Sequence, residues 1–128
     1  MSPRVLLVDD DPVILRLLEV NFRLDGFEVS TASHGGEALD RVRELRPDAV
    51  VLDVMMPGFD GYEVANRIRA DEDLASTQLV FLTARTYDDP SGAAAALDDV
   101  DRVTKPFDPM ALVRLVRHRI DGTEEHAL

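Results

Sequence analysis

The chain reads Val50-Val51-Leu52-Asp53-Val54-Met55-Met56-Pro57-Gly58-Phe59-Asp60-Gly61 near its centre. The β-branched and aliphatic run before Asp53 is typical of a strand that is buried on both faces. Pro57-Gly58 and Asp60-Gly61 then predict a tight loop directly after the strand. A carboxylate at the tip of a buried strand is costly unless something there uses its charge. Asp53 is therefore the first candidate for a functional residue.

The composition narrows the class of protein. The 128 residues carry a formal net charge of −11 and include no cysteine. This length suits one domain with its own core, and the lack of cysteine excludes disulfides and thiolate metal sites. The acidic charge argues against direct binding of this domain to nucleic acid or to anionic lipid. The N-terminus has no signal pattern and its apolar run, residues 5–8, is too short to span a membrane, so we expect a cytoplasmic protein.

Strand and helix patterns alternate five times along the chain. Apolar runs predict strands at residues 4–8, 27–32, 50–52, 79–82 and 102–104. Helical spacing predicts helices over residues 12–24, 35–46, 62–70, 90–97 and 109–120, of which the Ala-rich segment 90–97 has the weakest periodicity. Asp11-Pro12 and Asp108-Pro109 are typical of helix starts. The alternation predicts an α/β fold, a parallel sheet with helices on both faces.

The predicted strands end at chemically distinctive residues, namely Asp9-Asp10, Asp53, Thr83 and Lys105. In such sheets the carboxyl ends of the strands form the ligand-binding edge. Carboxylates that lie close together repel each other, and Mg²⁺ relieves that repulsion in a site built from oxygen ligands. A neighbouring lysine and hydroxyl can hold the oxygens of a phosphoryl group. This set favours a reaction in which Asp53 attacks phosphorus and becomes an aspartyl phosphate.

Four motifs lie at the ends of the predicted strands, namely Val8-Asp9-Asp10, Leu52 to Gly58 with Asp60-Gly61, Thr83-Ala84-Arg85 and Lys105-Pro106-Phe107. Taken together, they resemble the receiver domain of bacterial two-component response regulators. The resemblance covers Val5 to about Ile120. It implies a flavodoxin-like, doubly wound sheet of five parallel strands in the order 2-1-3-4-5, with five helices. We expect the receiver domain to span residues 1–121 and to be followed by a flexible tail, or the start of a linker, over 122–128.

The resemblance also implies a set of Mg²⁺ ligands. Asp10 would bind the ion directly and Asp9 would bind it through water. Asp53 would be both a metal ligand and the phosphoacceptor. The backbone carbonyl of Met55 would be the third direct ligand from the protein.

Thr83 and Lys105 would hold the phosphoryl oxygens, and the peptide bond between Lys105 and Pro106 would be cis. The implied donor is a sensor histidine kinase or a phosphotransfer protein, and the implied output is a further domain or a partner protein. Such a domain is a signalling switch and not an enzyme, with at most slow self-dephosphorylation. The resemblance leaves a homodimer open, although Ala111 and Leu115 replace the acidic residue and the arginine of one common receiver dimer.

Two other functions stay open at this point. A haloacid-dehalogenase-like phosphatase also uses a strand-end Asp with Mg²⁺, but it places a second Asp where this chain has Met55. A receiver that serves only as an interaction module is mildly favoured by Arg102, which stands where the family usually has an aromatic switch residue. The complete set of site residues argues against it, namely Asp9, Asp10, Asp53, Thr83 and Lys105. We expect the Arg102 side chain to stay outward, near the acidic residues Asp98, Asp99 and Asp101. His34, His118 and His126 lack metal spacing and are expected to be solvated.

Overall fold

A computed structural model describes residues 2–54, 61–84 and 100–126, which form a five-stranded parallel sheet flanked by helices. The strands pair in the order β2-β1-β3-β4-β5. This is the predicted doubly wound order, so the predicted fold class is confirmed. The strands are β1 (Arg4–Val8), β2 (Glu28–Ala32), β3 (Ala49–Asp53), β4 (Gln78–Ala84) and β5 (Asp101–Lys105).

The described residues contain four α-helices and one short 3₁₀ helix. They are α1 (Pro12–Leu24), α2 (Gly35–Leu45), α3 (Gly61–Ala70), the 3₁₀ helix Glu72–Leu74 and α4 (Pro109–His126). The fifth helix that we expected near residues 90–97 lies outside the described residues. No helix in the described parts of the chain is long and apolar enough to cross a membrane.

The core consists of two layers, one on each face of the sheet. Helices α1 and α4 cover one face, where their apolar side chains pack on Leu7, Val51 and Leu82. Helices α2 and α3 cover the other face, where they pack on Leu6, Val50 and Phe81. Because β3 lies between both layers, every one of its residues is buried. The uninterrupted apolar run before Asp53 is therefore explained by coverage on both sides.

Side-chain caps begin three of the described α-helices. The Asp11 carboxylate accepts a hydrogen bond from the Val13 backbone N–H at 2.9 Å, with Pro12 as the first residue of α1. The Asp108 carboxylate accepts from the Met110 N–H at 3.0 Å at the start of α4. Both predicted caps are confirmed. His34 is exposed as expected, but it also caps α2, where its Nδ1 accepts from the Glu37 N–H at 3.2 Å.

The C-terminal helix is longer than its sequence pattern predicted. We expected the helix to end near Ile120 and an irregular tail to follow, whereas the backbone of α4 stays helical to His126. The apolar stripe that marks the helix in the sequence ends at Ile120, because residues 121–126 include no apolar side chain. The division of the chain at residue 121, and the link to any further domain, stay predictions.

Candidate functional site

Three carboxylates converge at the carboxyl end of the sheet. Val8 of β1 pairs with Leu52 of β3, so the residues that follow them, Asp9 and Asp53, end neighbouring strands. One carboxylate oxygen from each of Asp9, Asp10 and Asp53 lies within 4.8 Å of the other two. Asp9 and Asp53 are buried, whereas Asp10 is exposed. The structure thus brings together the three carboxylates that the sequence analysis singled out.

The buried carboxylate of Asp9 has a donor on each oxygen. Its Oδ1 accepts a hydrogen bond from the Asp11 backbone N–H at 2.9 Å. Its Oδ2 accepts from Nζ of Lys105 at 3.0 Å. A fully buried carboxylate needs such partners, because an uncompensated charge in the interior is strongly unfavourable. The turn that starts α1 and the end of β5 therefore fix the orientation of Asp9 together.

Lys105 is the cation of the site. Its Nζ lies 3.5 Å from Oδ1 of Asp53 in addition to its bond with Asp9. Partial burial by itself would lower the pKa of Lys105, but the hydrogen bond to Asp9 and the charges of Asp53 and Asp9 outweigh it and raise the pKa above its ordinary value. The side chain is therefore a charged ammonium near neutral pH. The Lys105–Pro106 peptide bond that follows is cis, as predicted.

Strand alternation explains which side chains meet. Leu7 of β1 and Val51 of β3 face α1 and α4. The side chains of Asp9 and Asp53 lie two residues further on and face the same way. Val103 packs on the same layer, which gives Lys105 the same direction.

The side chain of Thr83 lies on the opposite face of the sheet from those of Asp9, Asp53 and Lys105. It lies on β4 opposite Thr104 of β5, is half-buried, and shares the face of Phe81 toward α2 and α3. It reaches the end of the sheet from the other face. Met55, whose carbonyl we expected as a ligand, lies outside the described residues.

Gly61 allows α3 to begin directly against the end of β3. Its N–H donates to the carbonyl of Val54 at 2.7 Å. A Cβ at this position would lie 2.5 Å from the carbonyl oxygen of Asp53 and 2.7 Å from Cα of Val54. Only glycine fits such a close approach without a backbone shift. The sequence identified Gly61 as a turn residue, but its contact with the Asp53 backbone depends on tertiary structure.

The donor set fits a hard divalent cation. All three converging groups are carboxylates, and negative charge exceeds the single positive charge of Lys105. Mg²⁺ prefers oxygen ligands and usually keeps several waters, and the exposed position of Asp10 leaves room for them. Asp10 and Asp53 are the residues that would hold the ion most directly, because Asp9 already has a donor on each oxygen.

Arg102 points outward from β5, as expected, and within the described part of the chain its guanidinium meets two aromatic rings and a backbone carbonyl. The guanidinium carbon lies 5.8 Å from the ring centroids of both Tyr62 and Phe81. One Nη1–H donates to the carbonyl of Val100 at 3.3 Å. Arg102 therefore lies over aromatic rings on the α3 side of the sheet.

The acidic neighbour that we expected for Arg102 has another partner. Asp101 forms a two-point ion pair with Arg119 of α4, in which Nη2 lies 2.7 Å from Oδ1. Adjacent residues of a strand point to opposite faces, so Asp101 turns toward α4 when Arg102 turns toward α3. Proximity in sequence was thus the wrong basis for predicting an Asp101–Arg102 pair. Asp98 and Asp99 lie outside the described residues.

The sequence has clear relatives. The family model "Response regulator receiver domain" matches residues 5–117. The DNA-binding response regulator MtrA of Mycolicibacterium smegmatis is 42% identical over 127 residues, which cover 98% of this chain and 54% of that protein. The transcriptional regulatory protein PrrA of Mycobacterium leprae is 44% identical over 116 residues, which cover 91% of this chain and 49% of that protein. The chain spans about half the length of the curated relatives it matches.

Solved structures agree with these matches. The chemotaxis response regulator CheY4 of Vibrio cholerae superposes with a TM-score of 0.83 at 28% identity, covering 93% of this chain and 99% of that chain. The response regulator DrrB, a Thermotoga maritima OmpR/PhoB homolog, gives a TM-score of 0.81 at 30% identity, covering 96% of this chain and 54% of that chain. With the family match and the fold, these similarities establish that the chain belongs to the response regulator receiver domain family, the signalling domain of bacterial two-component systems.

Proposed function

We propose that this receiver domain accepts a phosphoryl group on Asp53 in a Mg²⁺-dependent reaction and changes conformation in response. The proposal rests chiefly on one arrangement at the end of the sheet. Asp9, Asp10 and Asp53 offer three oxygens within 4.8 Å of one another, and the Lys105 ammonium lies 3.5 Å from Asp53. The family match supports the same assignment, and it favours a signalling domain over the phosphatase considered from the sequence.

The metal site would use Asp10 and Asp53 as direct ligands, Asp9 through water, and the backbone carbonyl of Met55. A bound Mg²⁺ would offset the repulsion among the carboxylates and the charge of the incoming phosphoryl group. The chain's own contribution is to hold the carboxylates in place before the reaction. Asp9 is fixed by the Asp11 N–H and by Lys105. The Asp53 backbone is fixed because the next residue, Val54, continues the ladder with an N–H bond to the Leu82 carbonyl at 3.0 Å.

In the transfer, a carboxylate oxygen of Asp53 forms a bond to phosphorus. The bond between phosphorus and the donor atom breaks, and the donor keeps the electron pair. Lys105 would leave part of its contact with Asp9 and bind a phosphoryl oxygen, and the Thr83 hydroxyl would donate to another. Neither residue forms a covalent bond, so both act by stabilising charge on the transferred group. Self-dephosphorylation by water would be slow at most.

The donor would be a sensor histidine kinase or a phosphotransfer protein in the cytoplasm. Relatives about twice as long are named as a DNA-binding response regulator and a transcriptional regulatory protein. We propose that this receiver likewise controls a DNA-binding output, carried on the same chain or on a partner. The receiver itself would not contact nucleic acid, because its formal net charge of −11 opposes a phosphate backbone.

The experiment that tests this function uses a small phosphoryl donor and intact-protein mass spectrometry. Acetyl phosphate with Mg²⁺ should add the mass of one phosphoryl group to the wild type and none to Asp53→Asn. Asp40→Asn, which removes an exposed carboxylate on α2, is the matched control and should be labelled like the wild type. Labelling that persists in Asp53→Asn would disprove the assignment.

A further inference from the structure

The guanidinium of Arg102 covers two aromatic rings. Its carbon lies 5.8 Å from the centroids of both Tyr62 and Phe81, within the range of a cation–π interaction. The rings themselves pack edge to face, with centroids 4.8 Å apart and planes at 84°. Tyr62 is 4% exposed and Phe81 is fully buried, whereas Arg102 is exposed. Arg102 is therefore the outer cover of a buried aromatic pair.

The register of the sheet determines the position of this cover. Phe81 of β4 pairs with Arg102 of β5, so the two side chains project from the same face. The bond from Nη1 to the Val100 carbonyl, at 3.3 Å, holds the head of the side chain back along the strand. An arginine can pack its apolar stem on the rings while the charged head stays in water. The Val100 carbonyl and the two rings thus all contact the guanidinium in this position.

Each ring is joined to the candidate phosphoryl site by one or two residues. Tyr62 follows Gly61, whose N–H binds the Val54 carbonyl and whose Cα lies against the Asp53 backbone. Phe81 precedes Thr83 by two residues on the same face of β4. A displacement at the end of β3 or β4 therefore reaches the Tyr62–Phe81 pair over a very short distance.

We propose that Arg102 locks the Tyr62–Phe81 pair in the arrangement described above and opposes its rearrangement when a phosphoryl group binds at Asp53. This inference rests on the proposed function, because it requires the ends of β3 and β4 to respond to that group. The charged head of arginine resists burial, so Arg102 would not move into the core with the rings if the Tyr62–Phe81 pair rearranged. Any rearrangement of the pair then loses the contact with the cation. The lock should shift the switching equilibrium by roughly two- to fivefold.

The first test needs no phosphoryl analogue. Tyr62 and Tyr87 are the tyrosines of the chain, so in a Tyr87→Phe background nitration by tetranitromethane reports access to Tyr62 alone. Arg102→Met removes the guanidinium but keeps a long apolar side chain, and it should make nitration several-fold faster. Arg43→Met removes an exposed arginine on α2 and is the control for charge. Equal nitration rates in the three proteins would overturn the lock.

The second test measures the coupling to the site. Beryllofluoride with Mg²⁺, followed by amide NMR, should half-saturate Arg102→Met at a concentration roughly two- to fivefold lower than wild type and Arg43→Met. An unchanged or higher concentration in Arg102→Met overturns the coupling. If the wild type does not respond to beryllofluoride at all, the proposed function fails and the coupling fails with it. The nitration rates then still decide whether Arg102 covers Tyr62.

Discussion

Lys105 is anchored on Asp9 and lies further from Asp53. Its Nζ is 3.0 Å from Oδ2 of Asp9 and 3.5 Å from Oδ1 of Asp53. Lys105, which would hold the transferred group, is thus bound to Asp9 at the end of β1, and β1 is the neighbour of the strand that ends at Asp53. The same ammonium partly neutralises the carboxylates to which a metal ion would bind. We therefore propose that Lys105 has two effects, binding the phosphoryl group and competing with the metal ion.

Replacing Lys105 with methionine should separate these two effects. Without the ammonium the carboxylates attract Mg²⁺ more strongly, and we expect the affinity for Mg²⁺ to rise about tenfold, equivalent to about 1.4 kcal/mol. The response to acetyl phosphate should fall sharply, because no ammonium remains to donate hydrogen bonds to the transferred group. Isothermal titration calorimetry measures the affinity, with Lys105→Arg as the variant that keeps the charge. A Mg²⁺ affinity that stays the same in Lys105→Met would argue against the competition.

Mg²⁺ should stabilise the folded domain. An ion that binds only the native state at a hundredfold excess over its Kd adds roughly 2.7 kcal/mol to the free energy of unfolding. Thermal melts with Mg²⁺ and with EDTA measure this difference. Asp10→Asn keeps the shape of the side chain but removes an exposed ligand, so its melting temperature should depend little on Mg²⁺. A wild-type melting temperature that ignores the ion would show that the metal site is wrong.

Gly61→Ala should destabilise the domain and weaken Mg²⁺ binding. The added Cβ would lie 2.5 Å from the Asp53 carbonyl oxygen, so the backbone next to the acceptor must move. We expect a loss of about 1–3 kcal/mol in the free energy of unfolding, measured by denaturant titration.

Gly122→Ala is the matched control for this substitution. A Cβ on Gly122 meets no atom within 4 Å apart from its chain neighbours and the backbone of its own helix, and the residue lies in α4. Alanine favours a helix over glycine, so this variant should be as stable as the wild type or more stable. Equal stability of Gly61→Ala and wild type would mean that the close approach at β3 is not required.

Most of the fold follows from local patterns. The five strands and the caps Asp11 and Asp108 depend on periodicity and on residues adjacent in sequence, and the convergence at the strand ends follows from the parallel sheet that the strand–helix alternation predicts. The partners of Arg102 and Asp101 do not. They depend on which residues face each other across β4, β5 and α4. The alternation of side chains along each strand and the order of the strands in the sheet determine those contacts. The cap formed by His34 was missed because histidine is a rare cap, although Glu37 three residues later is a typical companion.

Amide exchange with and without beryllofluoride should show where the domain responds. We expect the largest changes over residues 84–97, because a weakly specified Ala-rich segment rearranges at low cost. Arg102 should stay outward in both conditions, since its head resists burial. Crystal structures in the two conditions would provide the position of the side chain. Large inward movement of Arg102, or unchanged exchange over residues 84–97, would contradict this expectation.

The central claim is that Asp53 is the phosphoacceptor, and chemical mapping of the labelled residue tests it most directly. Borohydride reduces an aspartyl phosphate to homoserine, which peptide mass spectrometry locates in the sequence. After treatment with acetyl phosphate and Mg²⁺, we predict homoserine at position 53 and at no other aspartate, and none when Mg²⁺ is chelated. Homoserine at position 9 or 10, or protein that carries the label without any homoserine, would contradict the account.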